Sequence, residues 1–588
     1  MIFNRHFFLA GCAVSFASGA FAGSTAQAAA VSCPSGDAGL TLPPGFCATV
    51  FADGIGHARH MVAAPNGVLY VNTWSGVYFG NDTPHAGGFL VALQDTTGSG
   101  HADVNERFGE TVQSGGHGGT GIGIFNGYLF AETNDKIVKY KLGSEGIVPV
   151  GAPQTVIQGL PLGGDHPMHP FAIDAAGNLF VDVASATNSC QEKIRQLESP
   201  GIEPCVEQQT RGGVWLYSAA KTHQVFSPAA RYATGIRNAE GYGIDSVGHR
   251  VFVTQHGRDQ LHTNWPKVIQ DAALEANLPS EELMLLSKGG DFGWPKCYYD
   301  PYAEKLVLAP EYGGDGKTAG LCAEKQAPVA AYPAHWAPNG MVFNDKKAFP
   351  AHYHNGVFIA FHGSWNRAPY AQSGYNVVYQ PLEGDKASAR CEIFADGFAG
   401  ALRSPEKAAH RPSGVALAAG ALFVSDDVTG RIYRITYQAG ANPTGKTRPC
   451  PSNTDSPGPV LAASAKPPEG THEDAGVEVV PPGATQAMVA LGNRIFHGET
   501  GAACTGCHGA DGSGSTLGPN LTLGKWLWSD GSLSGIAGTI TRGVAEPKQY
   551  RAPMPALGGA QLSPDQVNAL AAYVWTLSHA HAASAGAP

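Results

Sequence analysis

The sequence predicts an all-β six-bladed β-propeller followed by a small all-α domain. Three observations predict it. A Gly-led apolar phrase recurs six times before residue 440, a Pro- and Gly-rich break follows, and helix-period patterning then surrounds a Cys-x-x-Cys-His pentapeptide. The 588 residues include 77 Gly and 41 Pro, which is too much punctuation for long helices and suits short strands joined by turns.

The phrase stands at Gly67-Val68-Leu69-Tyr70-Val71, Gly127-Tyr128-Leu129-Phe130 and Gly177-Asn178-Leu179-Phe180-Val181. It returns at Gly248-His249-Arg250-Val251-Phe252-Val253, Gly356-Val357-Phe358-Ile359 and Gly420-Ala421-Leu422-Phe423-Val424. Companion strands follow, at 136–142, 213–218, 375–382 and 431–437 among others. Short strands repeating every few tens of residues read as radially arranged sheets. A pair of β-sandwiches would not need the phrase six times. The widest gap, between Val253 and Gly356, predicts a long insertion. The propeller is placed at residues 31–437. Residues 438–483 are rich in Pro, Gly, Ser and Thr and read as a linker.

In the last segment, 484–580, Cys504-Thr505-Gly506-Cys507-His508 supplies two thiols for thioether bonds to haem vinyl groups and an imidazole for the iron. A zinc site would want a second ligand pair, and no Cys follows Cys507. Met488, Leu491, Gly492, Ile495 and Phe496 share one helix face. Ser563-Pro564-Asp565-Gln566 reads as a capping box opening a terminal helix whose face is Val567, Leu570, Ala571, Val574 and Leu577. Met554 is the sole Met after His508 and the natural second iron ligand; His579 and His581 are the alternatives. The segment looks like a class I cytochrome c domain carrying haem c.

Residues 1–30 carry Arg5, an apolar stretch and Ala26-Gln27-Ala28, the pattern of a signal peptide. Cys12, in Leu9-Ala10-Gly11-Cys12, is a weaker lipidation candidate. No later run approaches the length of a membrane span, so a periplasmic protein without a transmembrane segment is expected. Eight cysteines then remain outside the haem motif, and an oxidising compartment makes disulfides the default. Sequence alone allows 105 connectivities; sequential pairing (33–47, 190–205, 297–322, 391–450) is the expectation. The formal net charge of −10 and the lack of a basic run argue against nucleic acid as a partner. Asp95-Thr96-Thr97-Gly98-Ser99-Gly100-His101-Ala102-Asp103 lacks two of a calcium loop's carboxylates and reads as a turn.

A haem fused to a propeller implies electrons produced in the propeller, yet no Gly-x-Gly-x-x-Gly follows a strand. Several motifs resemble, in order, the soluble quinoprotein glucose dehydrogenase and L-sorbosone dehydrogenase family, which binds pyrroloquinoline quinone (PQQ). They are Leu42-Pro43-Pro44-Gly45-Phe46, Asp165-His166 with Phe171-Ala172-Ile173-Asp174, and Gly235-Ile236-Arg237-Asn238. Then come Leu278-Pro279-Ser280-Glu281-Glu282, Gly289-Gly290-Asp291-Phe292-Gly293-Trp294-Pro295, His362-Gly363-Ser364-Trp365-Asn366-Arg367 and His410-Arg411-Pro412-Ser413-Gly414-Val415.

The resemblance implies His166 as general base, with Asp165 orienting it or meeting substrate. It implies Arg237, Asn238, Arg367 and Arg411 at the cofactor, and His117 near the quinone. Guanidinium forks suit the three carboxylates of PQQ. It also implies backbone carbonyls of Gly257 and Arg258 on a calcium ion. Trp294 reads equally as a sugar-stacking or a turn-packing residue. Where the family commonly has Arg shortly after the base, this chain has His169-Pro170, so His169 is a second candidate for the functional imidazole.

The function expected is periplasmic oxidation of a sugar or sugar-aldehyde. Electrons would pass to haem c and on to a soluble cytochrome, an azurin-like carrier or an oxidase. An eight-bladed quinoprotein alcohol dehydrogenase would bring a vicinal Cys pair and Trp-docking repeats, and neither is present. The alternative from another class is a non-catalytic sugar-binding propeller carrying an electron-transfer module.

Overall fold

The computed structural model describes Cys33 and most of residues 37–457 and 480–584; the longest stretches outside the description are 1–32, 75–85, 111–118, 439–447 and 458–479. The signal-peptide and Cys12 readings, and His117, lie outside the described residues.

Among the described residues six sheets follow one another, antiparallel except where the short strand Gln224–Val225 pairs parallel with Gln154–Gln158, and each recurrent phrase forms the second strand of its sheet. Those second strands are Leu69–Trp74, Tyr128–Thr133, Asn178–Val183, Arg250–Gln255, Gly356–Phe361 and Ala421–Asp426. The phrase alternates poorly because both faces of a second strand are buried between neighbouring blades, as the fully buried Val71, Leu129, Val181 and Phe252 show. The first strands, His57–Ala63, Ile122–Phe125, Phe171–Ile173, Tyr242–Asp245, Pro338–Phe343 and Pro412–Ala418, pack side by side in a closed ring about the central channel. Backbones come very close there. A Cβ on Gly414 would collide with the Arg59 carbonyl, and one on Gly340 would stand 2.6 Å from the Ser413 carbonyl.

The ring is closed by the N-terminal strand. Phe46–Ala52 pairs antiparallel with Ile432–Tyr437 as the outermost strand, so the sixth blade combines the two ends of the propeller. Phe46 anchors that closure, with its ring edge-on to Phe349, Tyr353 and Phe394 at 4.9–5.5 Å between centroids.

Two insertions build one end of the channel. The first, between Asn178–Val183 and Gly213–Ser218, is stapled by Cys190–Cys205. The second leaves the fourth blade after Gln255 and carries the helix Ala272–Asn277. Between that blade's last two strands a further excursion forms a hairpin (Cys297–Asp300 with Lys305–Leu308), stapled by Cys297–Cys322. The insertions meet where Asn188 Nδ2 donates to the Asp259 carbonyl at 3.0 Å. Cys33–Cys47 and Cys391–Cys450 complete the sequential pairing that was expected.

The small domain is helical, with helices Gln486–Phe496, Cys504–His508, Leu533–Arg542 and Pro564–Ser584. Gly492 lets the first cross the last closely, since a Cβ there would strike the Ala569 carbonyl. The capping box forms as read, with Ser563 N donating to Gln566 Oε1 and Gln566 N to Ser563 Oγ. Among the described residues no helix is long and apolar enough to cross a membrane.

Candidate functional site

Arg237 sits at the end of the third blade, buried, with its guanidinium held on three sides. Nε and one Nη meet the carbonyl and side chain of Asn188 at 3.0 Å, the other Nη meets the Gly257 carbonyl at 3.0 Å, and Asp259 Oδ2 accepts at 3.0 Å. The same Asp259 oxygen accepts from Arg195 at 2.9 Å, and Arg195 also bonds Asp165 at 3.0 Å. Asn366 donates to the other Asp259 oxygen at 2.6 Å. Burial alone would raise the Asp259 carboxyl, but Arg195 and Arg237 outweigh it and hold the group ionised. Asp259 is thus a hub joining residues from three separate parts of the chain.

His166 lies in this cluster. Its Nδ1 is 2.9 Å from the Ser185 carbonyl, which can only accept, so the proton is on Nδ1 and the lone pair on Nε2. Burial, then Arg237, pushes its pKa well below the usual 6.5, so the ring is neutral at pH 7. His169 is placed differently. It is buried, its Nε2 donates to the Pro161 carbonyl at 3.0 Å, and Nδ1 faces Glu132 at 3.2 Å. Glu132 also accepts the His169, Thr120 and Gly121 amides, so this imidazole is part of a packed internal network.

Arg411 reaches the channel from the sixth blade. It donates to the carbonyls of His362 and Gly363, each at 3.1 Å, with Tyr375 beneath it at 5.7 Å. Between Arg237 and Arg411 stand His256 and His362, which burial pushes to about 3 and about 4, with Arg237 and Arg411 respectively adding to the shift. The channel end therefore carries fixed guanidinium charge among neutral imidazoles. Asn238 is buried here, and its Oδ1 is without a partner. A planar tricarboxylate fits this donor set.

Other predicted residues are spent elsewhere. Arg367 donates to the carbonyls of Ala276, Ala334 (3.3 Å), Ala371 (3.3 Å) and Pro457 (3.2 Å), which leaves its fork on backbone. Trp294 is buried against the Cys190–Cys205 disulfide and over Gly212, and its indole N–H bonds the Asn188 carbonyl at 3.1 Å, which is a turn-packing role. The Arg258 side chain pairs with Glu311. The Gly257 carbonyl faces the Arg237 guanidinium. Among the described residues, the carboxylate and thiol groupings with metal-ligand spacing lie at two disulfides, not here. The 95–103 loop is a turn closed on itself, Asp95 accepting from Ser99 N and Gly100 N.

Sequence reasoning passed over Asp259 and Arg195. Asp259 directly follows Gly257 and Arg258 in the sequence, and an acidic residue beside that pair was its only signal. Arg195 belongs to an insertion with no motif at all. Deeper on the axis, Asp182 and Glu240 are fully buried and neither has a hydrogen-bonded carboxylate oxygen. Arg59 approaches Glu240 to 3.7 Å while bonding Asp427 at 2.7 Å.

In the small domain, Cys504, Cys507, His508 and Met554 line one apolar cleft of about 1100 Å³ including its open mouth, walled by Phe496, Trp526, Ile540 and Leu570. His508 Nδ1 donates to the Pro519 carbonyl at 3.0 Å, which fixes the tautomer with Nε2 available to iron. His579 stacks on Trp575 at 3.5 Å and bonds its carbonyl, outside the residues that line the cleft. The residues present fit a haem with His508 and Met554 as axial ligands.

Residues 40–438 match the family model described as TrAA12-like, and residues 489–578 match cytochrome c. The iodide structure of the Trichoderma reesei carbohydrate-active enzyme of family AA12 has the same fold (TM-score 0.54, 18% identity, 68% of this chain and 98% of that one). So does the holo form of the pyranose dehydrogenase PQQ domain from Coprinopsis cinerea (TM-score 0.53, 17% identity, 68% and 97%). The small domain is 40% identical over 95 residues to the cbb3-type cytochrome c oxidase subunit CcoP of Rubrivivax gelatinosus, covering 16% of this chain and 27% of that one. The chain spans less than half the length of the curated relatives it matches. The four disulfides and the cytochrome c domain fit a periplasmic or extracellular protein.

Proposed function

We propose, from the premise that the chain belongs to the TrAA12-like family and carries a cytochrome c domain, that it is a periplasmic dehydrogenase of a sugar or sugar-aldehyde, with PQQ in the propeller and haem c as its first electron acceptor. The observation that carries this reading is the pairing of a neutral, tautomer-fixed His166 with an Arg237 anchored on Asp259. Bound PQQ would supply a two-electron acceptor for the substrate's hydride, and haem c a one-electron outlet.

The residues divide the remaining work. His166 Nε2 takes the proton from the substrate hydroxyl, its Nδ1–H remaining on Ser185 so that the ring does not rotate. The resulting imidazolium is held 2.9 Å from a carbonyl that stabilises it, while Arg237 keeps its pKa low enough for the proton to leave again. Arg411, with N–H groups beyond its two carbonyl bonds, and Arg237, with one beyond its four bonds, would hold the cofactor's carboxylates. Asp165, fixed by Arg195, presents its second oxygen to substrate hydroxyls. Calcium, which the Gly257 and Arg258 carbonyls would hold, would supply a Lewis acid beside the quinone.

The test is dye-coupled oxidation of aldoses and L-sorbosone by PQQ-loaded protein, with and without added calcium. Turnover that requires PQQ and disappears in His166→Ala supports the proposal. Sugar binding without turnover at any PQQ concentration would show a binding propeller instead.

A further inference from the structure

Past its last strand at Tyr437 the chain is again against the propeller at Arg448. Ile393 N donates to the Arg448 carbonyl at 2.7 Å, Pro449 bridges Glu392, and Cys450 is bonded to Cys391 both through the disulfide and through its amide at 2.7 Å. Further on, Asn277 Nδ2 donates to the Asp455 carbonyl at 2.8 Å, and Arg367 donates to the Pro457 carbonyl at 3.2 Å. The chain therefore runs from the outer edge of the fifth blade toward the site. Its final anchor, Arg367, is the neighbour in sequence of Asn366, which bonds Asp259. A further contact joins that face to the small domain, the ion pair of Lys193 with Glu546 at 3.7 Å.

We infer that residues 448–457 are a strap that launches the haem domain from the rim of the candidate active site, with Arg367 and Asn277 as positioning residues for electron transfer rather than ligands of the cofactor. The inference rests on the proposed function for the electron transfer, but the strap itself does not. With the strap fixed at Pro457, 22 residues separate it from Val480; freed back to the Cys391–Cys450 disulfide, which neither variant below breaks, the tether is 29 residues. The usual −3/2-power scaling of effective concentration with tether length then gives a drop of about 1.5-fold.

The experiment uses the full-length, haem-loaded protein as wild type, Arg367→Gln and Asn277→Ala. Hydrogen–deuterium exchange of residues 448–457 and small-angle scattering are measured on each. PQQ is then added, and its affinity, dye-coupled turnover and the rate of haem reduction by sugar are recorded. The expected result is faster strap exchange and a larger radius of gyration in both variants. PQQ affinity and dye-coupled turnover stay unchanged, and haem reduction slows by up to about 1.5-fold. Loss of PQQ binding in Arg367→Gln with a protected strap would overturn the inference and return Arg367 to the cofactor. An unchanged radius of gyration despite strap release would also overturn it. Were wild type to oxidise no sugar, the proposed function would fall, while exchange and scattering would still decide whether the strap holds the haem domain.

Discussion

Arg237 and Asp259 meet at 3.0 Å in the channel, and the same carboxylate oxygen holds Arg195 at 2.9 Å. This balance of two guanidiniums against two carboxylates, Arg195 also bonding Asp165 at 3.0 Å, leaves Arg411 to supply the positive charge an anionic cofactor requires. It also leaves a network whose stability depends on Asp259.

Replacing that carboxylate by Asp259→Asn keeps the shape and removes the charge. Two buried guanidiniums lose their common partner, and breaking such a pair costs about 3–5 kcal/mol. Calorimetry should show the propeller transition lowered while the haem domain's transition stays in place. An unshifted propeller transition would mean that the two arginines are compensated elsewhere.

The two candidate imidazoles separate by phenotype. His166→Ala should lower turnover by about 10²–10⁴ with a small change in melting temperature, since proton transfer is lost and one carbonyl contact is vacated. His169→Ala should do the reverse in emphasis, destabilising by about 2 kcal/mol or more because Glu132 loses a buried partner. Equal turnover loss in both, at equal stability, would contradict the assignment.

Glu240 gives a signed pH dependence. Burial pushes its carboxyl up to about 7 from 4.5, so the folded protein binds this proton more tightly than the unfolded chain. Stability from that proton is present below about pH 4.5 and is lost as pH rises through 7. Glu240→Gln removes the loss. Its melting temperature should match wild type near pH 4.5 and exceed it at pH 8, by up to roughly 3 kcal/mol in stability. Parallel curves across that range would show Glu240 to be ionised throughout.

Met554→Ala should open the haem's second axial position. The variant's ferrous haem should bind carbon monoxide and its potential should fall, because Met/His ligation raises it. The wild type should resist carbon monoxide. A variant with unchanged spectrum and potential would point to another ligand.

Much of the architecture was legible because it repeats. The phrase at Gly67, Gly127, Gly177, Gly248, Gly356 and Gly420 marks six second strands, since strands buried on both faces must be uniformly apolar. Ser563 and Gln566 announced a helix start by local chemistry that needs no tertiary context. The closing role of Phe46–Ala52 was less visible, because it depends on a partner nearly 400 residues away. The site was legible where one residue type has one use, as for Cys504, Cys507 and His508. It was illegible where the same fork serves two ends. Arg237 and Arg367 look alike in sequence, yet one faces Asp259 and the other four backbone carbonyls. Arg195 and Asp165 lie 30 residues apart, and only folding of the Cys190–Cys205 loop brings them to 3.0 Å.

The most direct test of the account is anaerobic addition of aldoses and L-sorbosone to full-length protein loaded with PQQ, while the haem α-band is watched. The account predicts reduction of the protein's own haem that requires PQQ and is abolished by His166→Ala. A haem that ascorbate reduces normally but no sugar reduces, with PQQ bound, would contradict it.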